Sequence, residues 1–180
     1  GGITHVSIAN NHIYDFGKEG FDNTIDALLK YHLIPLGEAR KPKLLKKCNF
    51  KCAVLSVSLT SNNDSLSIST IEQLQGSVEI FKNENPSILL ILYIHWGLEL
   101  QPKPEKWQRD LAKDLIMLGV DAIIGHHPHV VQTIEFINKK PVFYSIGNFV
   151  ADAFLPETNY SYTVEFIITN EIRDINCLLY

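Results

Sequence analysis

The chain has 180 residues, of which 46% are hydrophobic and 20% charged, with a formal net charge of −4. That balance fits one folded domain and excludes a disordered or fibrous segment. No apolar run approaches the ~20 residues of a membrane-spanning helix, the opening Gly-Gly-Ile-Thr-His is not a signal peptide, and the one Lys cluster argues against a nucleic-acid partner: Lys41, Lys43, Lys46 and Lys47 read as a solvated turn.

In chain order, His5 to Ala9 reads as a short strand followed by the polar loop Asn10-Asn11-His12. Phe21, Ile25, Leu28 and Leu29 recur at helical spacing, and Ile34 to Leu36 suits another short strand. Cys52 to Ser58 is β-branched and apolar, hence a strand, and Ser61 to Ser69 is a polar loop. Thr70 with Gln73 three residues on has the form of a capping box, and Leu74, Val78 and Phe81 supply the helix's inner face. Ser87 to Ile94 is apolar at nearly every position, as in a strand covered on both faces. Pro104 suits the first turn of a third helix striped by Trp107, Leu111, Leu115 and Leu118, with Gly119 at its end. Asp121 to Ile124 is the next strand, Val130–Asn138 and Pro141–Ile146 form a hairpin around Lys139-Lys140, and Tyr162–Thr169 and Ile172–Leu179 form a last antiparallel pair. Strand and helix alternate, which defines an α/β domain with a mixed sheet or two sheets.

Three cysteines, Cys48, Cys52 and Cys177, are not a disulfide framework. Cys48 and Cys52 flank Asn49-Phe50-Lys51, a short turn, so either a hairpin disulfide or two ordinary thiols fits the spacing.

The chemistry is concentrated after the strands. Asn10-Asn11-His12, His95-Trp96-Gly97, Gly125-His126-His127-Pro128-His129 and Gly147-Asn148 each follow a strand, and five of the seven histidines lie in these loops. In open α/β sheets ligands bind beyond the carboxyl ends of the strands. Neutral imidazole suits zinc, iron, nickel and related ions, and an amide oxygen suits harder ions such as manganese or magnesium. In an extended segment residues two apart point the same way. His127 and His129 are therefore expected to face one site and His126 to face elsewhere. Each loop alone has a bland explanation. His95 alone fits a hydrogen-bonded core histidine, Asn10 and Asn11 fit a turn, and Asp15 and Glu19 fit acids offsetting a helix dipole. Glu99 fits equally a solvated carboxylate or a contact to a ligand histidine or substrate. Together the loops favour one shared site. Trp96 and Tyr144 read as core or pocket wall.

At these residues the chain resembles the capsule synthesis protein CapA family, named for bacterial poly-γ-glutamate biosynthesis. The resemblance rests on Asn10-Asn11-His12 with Asp15 and Gly17, His95-Trp96-Gly97 with Glu99, Gly125-His126-His127-Pro128-His129-Val130, and Tyr144-Ser145-Ile146-Gly147-Asn148-Phe149. That family is similar to the calcineurin-like metallophosphatases. The resemblance implies a sandwich of mixed β-sheets flanked by helices, within one domain, and a site for two divalent ions (Mn, Zn, Fe or Mg). It makes Asn11, His95, His127 and His129 metal ligands, His12 the residue that contacts a phosphate and protonates the leaving oxygen, and Asn10, Glu99, His126 and Asn148 residues that touch substrate or support the ligands. This chain departs from the phosphatase pattern in having Asn10 where Gly stands and Ile13 where an acid stands, and in the extra His and Pro of the closing loop. The superfamily's first acidic motifs precede the Asn-His segment, so the resemblance leads to the expectation that the domain's opening and several acidic ligands lie outside this chain. The implied function is capsule or poly-γ-glutamate assembly with metal-dependent hydrolysis of a phosphoester or related polymer bond. The alternative is a non-catalytic assembly protein whose cleft holds polymer, with bound metals or His126 as the cationic groups. The implied partners are an anionic polymer or phosphoester and other capsule-assembly proteins, and the implied location in bacteria is at the membrane or outside the cytoplasm.

Overall fold

A computed structural model describes residues 2–38, 41–47, 50–60, 70–150, 155–168 and 172–179. The elements are β1 (His5–Ser7), α1 (Gly17–Lys30), β2 (Ile34–Leu36), β3 (Lys43–Lys47), β4 (Phe50–Ser58), α2 (Ile71–Glu84), β5 (Leu89–His95), α3 (Lys106–Met117), β6 (Ala122–His126), β7 (Ile134–Ile137), β8 (Lys140–Phe143), β9 (Tyr162–Ile168) and β10 (Ile172–Leu179). A short 3-10 turn covers Pro156–Asn159.

Six strands form the central sheet in the order β3-β4-β5-β6-β8-β7. β4, β5, β6 and β8 are parallel, and antiparallel β3 and β7 close the edges. Side-chain alternation sorts β5 into two faces. Leu90, Leu92, Ile94 and the following Trp96 join Leu74 and Val78 of α2 and Leu111, Ala112 and Leu115 of α3 in the main core. Full burial of each such aliphatic side chain contributes ~1.5–3 kcal/mol. The opposite face carries Cys52, Ile91 and Ala122, covered by Phe166, Ile168 and Ile172 of the β9–β10 pair. The architecture is thus a mixed-sheet sandwich flanked by helices. The parallel pair β1–β2 lies on the hairpin side, where the Ser7 and Ser56 hydroxyls are hydrogen-bonded at 2.7 Å.

Local chemistry explains the boundaries. Thr70 Oγ1 accepts the Gln73 N–H at 3.1 Å and caps α2. Pro104 sits just ahead of α3, which starts at Lys106, and the Gln108 side-chain oxygen accepts the Glu105 N–H at 2.9 Å. Of the predicted α3 stripe, Leu111 and Leu115 are buried, and Trp107 is 37% exposed. Asn138 and Lys139 both have positive φ (50° and 65°), the backbone of a tight hairpin turn between β7 and β8.

Two expectations need correction. Lys43, Lys46 and Lys47 lie in strand β3 rather than in a turn; lysine-rich edge strands resist unwanted pairing. The apolar stripe of α1 does not seat in a core: no residue of that helix is buried, and Leu29 is 54% exposed. Cys52 is a free, buried thiol, pushed up to about 11 by burial and by the nearby Asp121 carboxylate. Cys48, Asn49 and the loop Ser61–Ser69 lie outside the described residues.

Candidate metal centre

Parallel register brings the site together. Ser58 is level with His95, and His95 with His126, so the two histidines end neighbouring strands side by side. Both lie on the odd face of β5 and its equivalent on β6, away from the helices. The expectation that His126 faces elsewhere fails for this reason: it is the last residue of β6, and strand parity aims it at His95. The Nδ1 atoms of His95 and His126 are 3.0 Å apart, and Tyr93 packs over His126 with ring centroids at 4.5 Å.

The hydrogen bonds order the protons. His95 Nε2–H donates to Asn11 Oδ1 at 2.9 Å, so its Nδ1 accepts from His126 Nδ1–H. His126 Nε2 is then a buried lone pair with no partner among the described residues. Burial is the first cause that holds both imidazoles neutral, with the neighbouring histidines adding to it: His95 falls to about 2 and His126 to about 3. Burial thus favours a neutral His126 near neutral pH.

His127 and His129 do approach one point, though not through an extended backbone. Both have positive φ (104° and 63°), and the chain turns sharply about Pro128. The His127 ring lies 4.3 Å from that of His95 and 6.2 Å from that of His129, centroid to centroid. His129 Nδ1–H donates to Asn148 Oδ1 at 2.8 Å, and the Asn148 amide nitrogen donates to the Thr158 carbonyl at 3.2 Å. The second bond fixes which end of the amide faces His129. His129 Nε2 therefore carries the free lone pair, as in metal sites whose ligand histidines are oriented from behind.

The loop after β5 reaches the same place. Gly97 takes φ +84°, and a Cβ there would meet the Gln108 amide at 2.8 Å. Leu100 N–H then donates to the Pro128 carbonyl at 2.8 Å and Gln132 Nε2 to the Gln101 carbonyl at 2.7 Å. Glu99 is thereby held beside His127 and His129, with ligand atoms of all three within 4.8 Å of one another. Trp96 is structural: it is fully buried, stacks on Tyr144 and donates its indole N–H to the Tyr144 carbonyl at 2.9 Å.

From the other side, Asn10 Oδ1 accepts the His12 N–H at 2.8 Å, and His12 Nδ1–H donates to Asp15 Oδ2 at 2.8 Å. Sequence reasoning gave Asp15 only a helix-dipole role. The i to i+3 spacing after His12 was the available signal. A cleft of about 690 Å³ joins these groups: Asn10, Asn11, His12, His95, His126 and His129 line it with Tyr93, Ile146 and Phe149. No Lys or Arg is among its described lining residues.

The donor set fits divalent cations. It offers neutral imidazoles, an amide oxygen and a carboxylate, with nitrogens on His126 and His127 that have no partner among the described residues. In the opposite tautomer, with His95 Nδ1–H donating to His126 Nδ1, His95 Nε2 carries a lone pair 2.9 Å from Asn11 Oδ1, the ~3 Å separation of adjacent donors on one ion with bonds near 2.1 Å.

The sulfate thiohydrolase SoxB of Thermus thermophilus, solved with glycerol, superposes with a TM-score of 0.59 at 15% identity, covering 99% of this chain and 32% of that one. This likeness shows that the two chains share a fold. The capsule biosynthesis protein CapA of Bacillus anthracis is 32% identical over 92% of this chain and 44% of its own length. The PGA biosynthesis protein CapA of Bacillus subtilis (strain 168) is 32% identical over 91% of this chain and 47% of its own length. The chain thus spans about half the length of these relatives. The model of the family described as bacterial capsule synthesis protein PGA_cap matches residues 1–153, and the chain belongs to that family.

Proposed function

We propose that this chain carries a divalent-metal hydrolase site used in building an anionic capsule polymer of the poly-γ-glutamate type, acting on a phosphoester or a related polymer bond. One observation supports this reading above the others. Four separate segments deliver Asn11 and His12, His95, His127 and His129, and Asn148 to one strand-end site. In this reading Asn11, His95, His127 and His129 hold the cations, and the imidazole-rich set suits manganese, zinc or iron better than magnesium.

A bound divalent ion supplies Lewis-acid polarisation of a phosphoryl oxygen and a water of lowered pKa. His12 moves the proton. Its Nδ1–H is held by Asp15, so the proton it passes to the leaving oxygen is one that Nε2 has first taken up as imidazolium. Asn10 fixes the His12 backbone through its side-chain oxygen. Tyr93, Ile146 and Phe149 give the cleft its apolar walls.

A second reading is favoured by the absence of Lys and Arg from the described cleft lining. A cleft that holds polyglutamate without cutting it would then use bound cations as the only counter-charge. One experiment separates the two readings. The protein is loaded with Mn(II) or Zn(II), then tested for p-nitrophenyl phosphate turnover and for poly-γ-glutamate binding. Metal-dependent turnover abolished by His12→Ala supports the hydrolase. Metal-dependent polymer binding without turnover supports the holder.

A further inference from the structure

We propose that Glu99 is itself a metal ligand, forming with His127 and His129 a divalent-cation site of two imidazoles and one carboxylate built entirely by the loops after β5 and β6. The inference rests on the reading of His127 and His129 as metal ligands and adds a residue to it.

A glutamate on an exposed loop is usually a solvated carboxylate, and Glu99 is exposed. Three observations separate it from that case. First, the loop is tied down at two points, by the Leu100 N–H on the Pro128 carbonyl and by the buried Gln132 amide on the Gln101 carbonyl. The first tether reaches the residue that lies between the two histidines. The position of Glu99 relative to them is therefore set by the backbone.

Second, donors crowd this point. A Glu99 carboxylate oxygen lies within 4.8 Å of ligand nitrogens of His127 and His129. The His127 Nδ1 is buried with no hydrogen-bond partner among the described residues. A carboxylate beside two imidazoles is a cluster of lone pairs, and a divalent ion satisfies all of it at once.

Third, the histidine at the rim is oriented for ligation. Asn148, anchored on the Thr158 carbonyl, holds the proton of His129 on Nδ1 and leaves Nε2 bare. Such support behind a ligand histidine raises its basicity and fixes its ring. The ligand class is a borderline divalent ion, zinc, cobalt or manganese, for which a two-histidine, one-carboxylate set is a good match.

The test uses Co(II) as the probe, read by its visible absorption, and Zn(II) in competition, read by calorimetry. Three proteins are compared: the wild type, Glu99→Gln and the double variant His127→Ala/His129→Ala. Glu99 is exposed, so circular dichroism should show Glu99→Gln folded as the wild type. If Glu99 is a ligand, Glu99→Gln weakens one equivalent by about tenfold or more and changes its Co(II) spectrum. Wild-type affinity and spectrum in Glu99→Gln, with binding lost in the double variant, would overturn the Glu99 assignment and leave the histidine reading intact. Wild-type binding in the double variant would remove both.

Discussion

His95 and His126 face each other through their Nδ1 atoms at 3.0 Å, one ring accepting the proton that the other donates. The contact exists because parallel register makes them partners at the ends of β5 and β6. It commits His95 to presenting Nε2 towards Asn11 and the cleft.

Acid should loosen the fold through this pair. Folded His95 and His126 titrate at about 2 and about 3, against an ordinary value of 6.5. Between those values and 6.5 the unfolded chain binds protons that the folded chain refuses, so stability is full above pH 6.5 and declines as the pH falls below it. The slope is ~1.4 kcal/mol per pH unit for each fully affected histidine. His127, His129 and His12 add their own repulsion at His95. Metal-free urea melts at pH 7 and pH 5 should differ by roughly 2–4 kcal/mol; equal midpoints would show that the folded imidazoles protonate freely.

Removing His126 should expose the dependence of His95 on it. His126→Ala leaves the His95 Nδ1 without its partner in a site where His95 is 5% exposed. Leaving a buried polar atom unpaired costs ~1–3 kcal/mol. Chemical denaturation at pH 7.5 measures that loss, and an unchanged midpoint would mean that water replaces the ring.

Asp15 is expected to act through His12. Asp15→Asn keeps the shape of the contact and removes its charge, so phosphoester turnover should fall about 10- to 100-fold while metal content stays constant. His12→Ala should remove the full proton-transfer contribution of ~10²–10⁴. Loss of metal in either variant would reassign His12 from proton transfer to ligation.

Asn148→Leu should free the His129 ring. With the Nδ1 partner gone, the tautomer is no longer fixed, and Zn(II) affinity should drop ~10- to 100-fold. Calorimetric titration reads this directly, and the same affinity as the wild type would assign Asn148 to loop structure alone.

Gly125 is fixed by its surroundings. A Cβ at that position would lie 2.1 Å from the Tyr144 carbonyl oxygen and 2.4 Å from the Trp96 indole nitrogen. Gly125→Ala should therefore break the Trp96–Tyr144 hydrogen bond and destabilise by ~1–3 kcal/mol or more, seen as a melting temperature lower by several degrees.

What the sequence made legible follows from what it encodes locally. The helices over Leu74–Phe81 and Leu111–Leu115 and the strands around Leu90–Ile94 and Ile123 were readable, because hydrophobic period and caps are short-range signals. The clustering of His12, His95, His127 and His129 was readable because each follows a strand. The direction of His126 was not. Two-residue alternation assumes extended backbone, and positive φ at His127 and His129 breaks that assumption just after the strand ends. Strand β3 was hidden because its lysines look like a turn, although an edge strand needs only one partner. The tethers from Leu100 and Gln132 that place Glu99 join residues about thirty positions apart, beyond the reach of any local pattern.

Alternation along β5 also sets what kind of change the site can survive. The core side chains Leu90, Leu92 and Ile94 and the site-facing Tyr93 and His95 share one short segment and differ only in odd or even position. Deleting or inserting a single residue upstream within β5 would exchange the two sets, driving an imidazole into hydrocarbon and lifting leucines into the cleft. The strand can therefore absorb substitution but not a change of length. The loops beyond His95 and His129 are where residues can be added or removed and the cleft reshaped without disturbing the histidine pair beneath it.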